Sequence, residues 1–139
     1  MRAAWRTALR GLASLSLAVA GSANAVPNWV VADTPGVDLV RYDTASMKVL
    51  GADRFEFWSE IRYGAPRPVF ADKPSPVYTM KRQRLRLDCP GRQVTTLYAT
   101  YFDANGMALL TENTPYATAE PIALDTPAAR YEAKLCPRP

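Results

Sequence analysis

The residues best suited to chemistry in this sequence are three arginines that alternate along one short segment. Arg82, Arg84 and Arg86 occupy every second position between Lys81 and Leu87. If this segment is a β-strand, alternate side chains project from the same face about 7 Å apart and form a stripe of guanidinium groups. Guanidinium groups bind anionic oxygens through paired hydrogen bonds, so the stripe suits a sulfated polysaccharide or an acidic protein surface.

The same arginines also have a purely structural interpretation. Glu56 and Glu60 fall on one face of the segment 54–63, and cross-strand Glu–Arg pairs are common in antiparallel sheets. Trp58 lies between these glutamates and is the fourth candidate binding residue, because aromatic side chains beside arginines are typical of protein-binding hot spots. The alternative interpretation of Trp58 is that its ring is buried beneath a helix or loop. For both features the structural interpretation is favoured, and the binding interpretation stays open.

Catalysis is not expected, because the sequence contains no histidine, the residue most used for acid–base chemistry. Glu56 and Glu60 would lie about 13 Å apart along a strand, farther than the roughly 5–9.5 Å between glycosidase carboxylates. Serine and threonine have no histidine to activate them. The segment 101–112 fits a calcium loop only in part, since Tyr101 stands where the first ligand belongs. We therefore predict a non-enzymatic protein with no metal and no cofactor.

The first 25 residues have the features of an export signal. Arg2, Arg6 and Arg10 form a basic start, and an apolar run follows over residues 12–20. This run is too short for a spanning helix, which needs roughly 20 apolar residues. Ala23-Asn24-Ala25 has the small-x-small pattern of a cleavage site. We predict export to the periplasm, the cell surface or the medium. No lipid anchor is expected, because no cysteine lies near the cleavage site.

Removal of the predicted signal peptide leaves a single domain, residues 26–139, that is nearly neutral. The chain has 17 lysines and arginines, of which three lie in the signal, so 14 remain against 13 acidic residues. A balance this even does not support global attraction to nucleic acid or anionic lipid. We expect no nucleic-acid partner and no membrane insertion, and any basic surface must be local.

The two cysteines of the chain, Cys89 and Cys136, predict one disulfide bond in an exported protein. They do not form a C-x-x-C pair, and further soft ligands are absent from the sequence, so a redox or metal role is weakly supported. The bond would close a loop of nearly 50 residues, which contributes roughly 4 kcal/mol on the chain-entropy model.

Short strands separated by prolines and turn residues dominate the remaining pattern. Thr34-Pro35-Gly36, Pro90-Gly91 and Asn105-Gly106 mark turns, and the segment 64–76 carries four prolines and is expected to be a loop or an edge segment. The strands predicted by alternation are 28–32, 37–43, 54–63, 77–89, 92–103 and 107–111. The segments on either side of Pro90-Gly91 should pair as a long hairpin.

A short helix is predicted at the end of the chain. Asp125 or Thr126 can cap it, and Pro127 suits its first position. Ala128, Tyr131 and Leu135 form an apolar stripe at i, i+3 and i+7. We therefore expect an α+β fold in which a single antiparallel sheet of about six strands carries a C-terminal helix, pinned to it by the disulfide.

The order of several short motifs resembles the surface-adhesin protein E family of exported bacterial domains. The resemblance covers nearly the whole mature chain and rests on the order of its motifs and on the cysteine spacing. The motifs are Trp29-Val30, Val40-Arg41-Tyr42-Asp43 with Ser46, Phe55-Glu56-Phe57-Trp58, Leu87-Asp88-Cys89, Tyr101-Phe102 before Asn105-Gly106, Pro121-Ile122-Ala123 and Leu135-Cys136.

This resemblance implies an antiparallel sheet with a C-terminal helix and a binding role, since members of the family attach to host matrix proteins such as laminin and vitronectin. The expected partner is a protein or a glycan. An alternative is a periplasmic inhibitor or envelope accessory protein that inserts its proline-rich loop, residues 64–76, into a partner. An open sheet edge could also support a homodimer through strand addition.

Overall fold

The computed structural model describes residues 25–33 and 38–138 of the chain. It contains a short 3-10 turn, Thr44–Ser46, and a single α-helix, α1, at Pro127–Leu135. Residues 1–24 of the predicted signal sequence and the predicted turn at 34–36 lie outside the described residues. The strands are β1 Trp29–Asp33, β2 Leu39–Asp43, β3 Lys48–Gly51, β4 Arg54–Pro68, β5 Val77–Asp88, β6 Gln93–Phe102, β7 Ala108–Asn113 and β8 Glu120–Pro121.

The strands form one antiparallel sheet in the order β1-β2-β4-β5-β6-β7, with β3 added to β4 and β8 added to β6. The prediction of a single antiparallel sheet is confirmed, and so is the β5–β6 hairpin. The expected number of six strands was wrong, because the described residues contain eight. The two strands that were missed are short and exposed throughout, so neither has an alternating pattern of buried side chains.

Strand β4 extends beyond the predicted strand 54–63, because it includes residues 64–68 of the segment expected to be a loop or an edge segment. The pairing of β2 with β4 ends at Leu39 and Arg62, so among the described strands only β5 lies beside the last residues of β4. Proline is tolerated at such an edge because no neighbour needs its missing N–H group. Pro68 pairs with Val77 there, and a shorter loop remains over residues 69–76.

Helix α1 covers one face of the sheet, called here the helix face, and encloses the core. Thr126 caps the helix by accepting a hydrogen bond from the N–H group of Ala129, at 3.3 Å, as predicted. The ring of Tyr131 is fully buried and meets the ring of Phe57 edge-on, with centroids 5.3 Å apart. The other buried core residues are Ala32, Val40, Tyr42, Ile61, Leu85, Leu87 and Ile122.

The predicted disulfide is confirmed. Cys89 follows the end of β5, and Cys136 is the C-cap residue of α1. Their sulfur atoms are bonded and their Cα atoms are 5.6 Å apart. The bond therefore fixes the last turn of the helix to the central hairpin.

A β-bulge in β6 decides which side chains face away from the helix. Arg84 pairs with Tyr98, but Leu85 pairs with Thr96, so Leu97 is an extra residue in the ladder. An inserted residue reverses the alternation of side chains beyond it. Tyr98 consequently projects from the same face as Arg84 instead of entering the core.

None of the helices in the described ranges is both long and apolar enough to cross a bilayer.

Candidate functional site

The four candidate binding residues lie together on the face of the sheet opposite α1. In the β4–β5 ladder, Trp58 is opposite Arg84, with Glu56 opposite Arg86 and Glu60 opposite Arg82 on either side. Directly opposed residues of an antiparallel pair project to the same side. We call this surface the arginine face and define it by Arg41, Glu56, Trp58, Glu60, Arg62, Arg82, Arg84 and Arg86.

Two glutamates organise the arginines of this face. The side chain of Glu60 is completely buried, and its carboxylate accepts hydrogen bonds from Arg41, Arg62 and Arg82 at 2.5, 2.9 and 2.8 Å. Glu56 is bound in the same way by Arg84 and Arg86, the latter at 3.1 Å. The cross-strand ion pairs that the sequence suggested are therefore present.

The arginines keep both glutamates ionised. Burial by itself would raise the pKa of Glu60, but the hydrogen bonds from Arg82, Arg62 and Arg41 outweigh it and lower the pKa below the ordinary 4.5. Burial likewise opposes ionisation of Glu56, and hydrogen bonds and charge from Arg86 and Arg84 lower its pKa. Both carboxylates are thus negative wherever the protein is folded near neutral pH.

The ion pairs do not neutralise the arginine face. It carries five arginines against two glutamates, which leaves an excess of three positive charges. The side chains of Arg82, Arg84 and Arg86 remain 44, 38 and 48 % exposed. Each guanidinium has five N–H donors and gives only some of them to a glutamate, so donors remain for an outside anion. The structural and the binding interpretations of the stripe are compatible.

Burial of Trp58 beneath a helix or loop was expected, but Trp58 does not lie beneath α1. It projects from the arginine face, because Phe57 and Tyr131 occupy the opposite side of β4. Its ring is half-buried and meets the ring of Tyr98 edge-on at 5.4 Å. The sequence could not assign this, since the face covered by a helix is decided by packing of the whole sheet.

Two neighbouring depressions cross the arginine face, separated by the Trp58–Tyr98 pair. The first, called here the aromatic groove, has a volume of about 530 Å³. The second has a volume of about 560 Å³ and contains Arg84, Arg86 and Glu56. The aromatic groove is lined by Trp29, Trp58, Tyr98, Phe102 and Arg82, together with Pro27, Asp43, Ala45, Ser46 and Thr100. Ala25, the last residue of the predicted signal, also lines it and would be absent after processing.

Three of the groove aromatics were not recognised as site residues from the sequence. Trp29 and Phe102 entered only as parts of family motifs, and Tyr98 faces the groove only because of the β-bulge. The alternation of Tyr98, Thr100 and Phe102 was the available signal. It could not be assigned to a face without knowledge of the bulge.

Hydrogen bonds fix the rim of the aromatic groove. The buried carboxylate of Asp43 accepts from the N–H groups of Asn28, at 2.7 Å, and Ala45, at 3.0 Å. The hydroxyl group of Ser46 donates to the carbonyl oxygen of Asp43 and accepts from the N–H group of Trp58. These bonds hold the N-terminal segment and the 3-10 turn against β4, so the rim of the groove is fixed by contacts within the fold.

Two other basic residues near the stripe, Lys81 and Arg92, do not lie on the arginine face. Lys81 lies on the helix face with its ammonium group 5.2 Å from the ring centre of Tyr101, and burial lowers its pKa. Arg92 pairs with Glu132 of α1 at 2.9 Å. The basic residues between positions 81 and 92 are therefore divided between the two faces, and Arg82, Arg84 and Arg86 alone form the stripe.

The remaining motifs have structural roles in the described residues. The carboxylate of Asp103 accepts hydrogen bonds from the N–H groups of Asn105 and Met107, both at 2.9 Å, which forms the β6–β7 turn. No group of three metal-binding side chains occurs in the described ranges.

In the loop 69–76, the ammonium group of Lys73 lies over the exposed ring of Phe70, 4.4 Å from the ring centre.

Comparison with known proteins gives one sequence family and one fold. The sequence profile described as surface-adhesin protein E matches residues 29–137. No curated protein sequence matches the chain significantly.

Solved structures of protein E from Haemophilus influenzae are similar to this chain. Crystal form II has a TM-score of 0.51 at 15 % identity and covers 81 % of this chain and 96 % of its own. A selenomethionine form has a TM-score of 0.49 at 14 % identity, covering 81 % and 92 % of the two chains. Protein E from a non-typeable strain gives 0.47 at 15 % identity, covering 78 % and 84 %. The first of these supports a shared fold.

Proposed function

Because the chain belongs to the surface-adhesin protein E family, we propose that it is an exported, non-catalytic binding domain that recognises a protein or glycan through its arginine face. The single observation that carries the proposal is the charge of this face. Five arginines surround two buried glutamates, and the candidate residues Arg82, Arg84 and Arg86 stay accessible to solvent. The surface therefore offers an organised set of donors to an acidic partner.

The two glutamates explain how arginines can form a binding surface without repelling one another. Like charges on neighbouring strands destabilise a sheet. A buried carboxylate between them offsets this repulsion and fixes each guanidinium in one orientation. Pre-organised donors lose less side-chain entropy when a ligand binds, which favours affinity. Extracellular-matrix components such as heparin-like glycans, laminin and vitronectin are the proposed partners. The chain would meet them at the cell surface or after release.

The test is binding of the exported and processed protein to immobilised heparin, laminin and vitronectin over a series of salt concentrations. Electrostatic binding at an exposed surface weakens as salt shortens the Debye length, which is about 10 Å at 0.1 M. Saturable binding that weakens with salt supports the proposal. Absence of binding at any salt concentration contradicts it.

The variant must remove charge without leaving a glutamate unpaired. Substituting all three stripe arginines would strip Glu56 of both partners, and an unpaired buried charge is strongly destabilising. R82A/R86A avoids this, because Arg41 and Arg62 still bind Glu60 and Arg84 still binds Glu56.

The matched control removes two arginines from other parts of the surface. In R67A/R92A the lost side chains are about as exposed as those of the stripe, and each pairs with one acid, Asp38 or Glu132. The net charge change equals that of R82A/R86A. We expect the stripe variant to lose most of its heparin affinity and the control to keep it. Equal losses in both variants would show that only net charge matters, which would contradict a defined site.

A further inference from the structure

We propose that the aromatic groove is a sugar-binding subsite and that the ligand of this domain is an acidic oligosaccharide, with one ring seated in the groove and its charged group on Arg82. This inference rests on the proposed function and deepens it. The arginine face alone would accept any acidic partner, whereas the groove discriminates by shape and by chemistry.

The shape of the groove fits a small ligand. Its volume of about 530 Å³ lies within the roughly 300–1,000 Å³ of small-molecule sites. Such sites combine apolar and aromatic walls with a few placed polar groups. Here the walls are the half-buried rings of Trp29, Trp58, Tyr98 and Phe102. A flat aromatic ring can cover the C–H surface of a pyranose with little loss of side-chain entropy.

Arg82 supplies the charge at this position. Its guanidinium carbon lies 5.7 Å from the ring centre of Trp29 and 5.8 Å from that of Phe102, while one nitrogen donates to Glu60 at 2.8 Å. The group is thereby held between two aromatic rings at the groove and keeps N–H donors for a carboxylate or sulfate. An uncharged sugar would leave these donors without a charged acceptor.

The neighbouring depression indicates an oligomer in preference to a single sugar. It lies on the other side of the Trp58–Tyr98 pair and contains Arg84 and Arg86. Arg82 and Arg86 are four residues apart along a strand, roughly 13 Å. A linear chain with a repeated anionic group would place one ring in each depression and contact an arginine in both. A peptide of acidic residues alone, such as polyglutamate, could match the charges but has no rings to stack on the four aromatic walls.

The chain provides its own reporter for this test. The sequence has three tryptophans, of which Trp5 lies in the predicted signal. The processed protein therefore keeps only Trp29 and Trp58, and both line the groove. A ligand in the groove must change their fluorescence.

The experiment titrates the processed protein with a heparin tetrasaccharide, with maltotetraose as an uncharged sugar and with tetraglutamate as an acidic peptide. Calorimetry gives the affinity and tryptophan fluorescence reports the groove. We expect saturable binding of the heparin fragment with a fluorescence change, and weak or absent binding of the other two. Both W29A and F102A should weaken binding by about tenfold. F70A, which removes an exposed ring from the loop 69–76, should leave the affinity unchanged.

The contradicting outcomes separate this inference from the proposed function. One such outcome is salt-sensitive heparin binding that leaves the tryptophan fluorescence unchanged and has the same affinity in W29A and F102A as in the wild type. In that case the arginine face binds anions and the sugar subsite is refuted. Binding of tetraglutamate with the same fluorescence change would identify the occupant of the groove as an acidic peptide and overturn the assignment of an acidic oligosaccharide. No binding of any probe would contradict both proposals. F102A keeps the test valid if W29A fails to fold.

Discussion

Glu60 is the residue whose replacement tests the account of the arginine face most fully. Its carboxylate is fully buried and binds three arginines. Glutamine has nearly the same shape but no charge, so E60Q removes the charge and leaves the packing. We expect two opposite effects: the protein becomes less stable, and the arginine face becomes a stronger anion binder. Affinity rises because the face gains a net positive charge, while the amide oxygen of glutamine still accepts hydrogen bonds that orient the arginines.

The size of the stability loss follows from the exposure of the three partners. A hydrogen bond to a charged group contributes about 1.5–3 kcal/mol. Arg62 and Arg82 are 56 and 44 % exposed, so water replaces much of what they lose and their share is strongly reduced. Arg41 is only 22 % exposed and supplies most of the effect. We expect a loss of about 2–4 kcal/mol, a large part of the roughly 5–15 kcal/mol that stabilises a domain.

The assay is urea denaturation at pH 7, followed by circular dichroism, beside heparin affinity at one fixed salt concentration. With an m-value of about 2 kcal/mol/M, the middle of the range for small proteins in urea, the denaturation midpoint should fall by about 1–2 M. The matched control is E120Q, because Glu120 is exposed, and its midpoint should stay nearly unchanged. An unchanged midpoint in E60Q, or a lower heparin affinity in the folded variant, would refute the reasoning.

Three further predictions concern stability. The lowered pKa of Glu60 stabilises the fold above the ordinary carboxyl pKa of 4.5, and this stability is lost as the pH falls toward the folded-state pKa. Denaturation midpoints measured from pH 6 to pH 3 should therefore decline more steeply in the wild type than in E60Q. Parallel curves would contradict this prediction. Replacing Cys89 and Cys136 with serine should cost about 2–4 kcal/mol, because the bond closes a separation of 47 residues; an unchanged melting temperature would oppose it. T126A should cost about 1 kcal/mol through the lost helix cap, whereas T126S should be nearly neutral in the same melting experiment.

Local signals in the sequence were sufficient for the central hairpin, the helix and the disulfide. Thr126 and Pro127 mark the helix start through cap chemistry, and Tyr131 lies in the predicted apolar stripe. These features depend on neighbours in the sequence. Strand β3 gave no such signal, because Val49 is 71 % exposed and the strand has no buried face.

The composition of the candidate site depended on information that a single sequence does not contain. The Arg–Glu pairs could be proposed from the alternation of side chains along each strand. The register of β4 with β2 and β5 decides that Glu60 binds three arginines and Glu56 binds two. The groove depends on one inserted residue, Leu97, which turns Tyr98 toward Trp58. A one-residue change in register moves every later side chain to the other face, and only the assembled sheet reveals it.

The most direct test of the central claim is to observe the arginine side chains while a ligand binds. In a nuclear magnetic resonance titration of the processed protein with a heparin tetrasaccharide, each arginine gives its own Nε–H signal. We predict large, saturable shifts for Arg82, Arg84 and Arg86, and little change for Arg67 and Arg92, which pair with acids away from the arginine face. Shifts confined to Arg67 and Arg92, or equal shifts in all five, would contradict the assignment of the arginine face as the binding site.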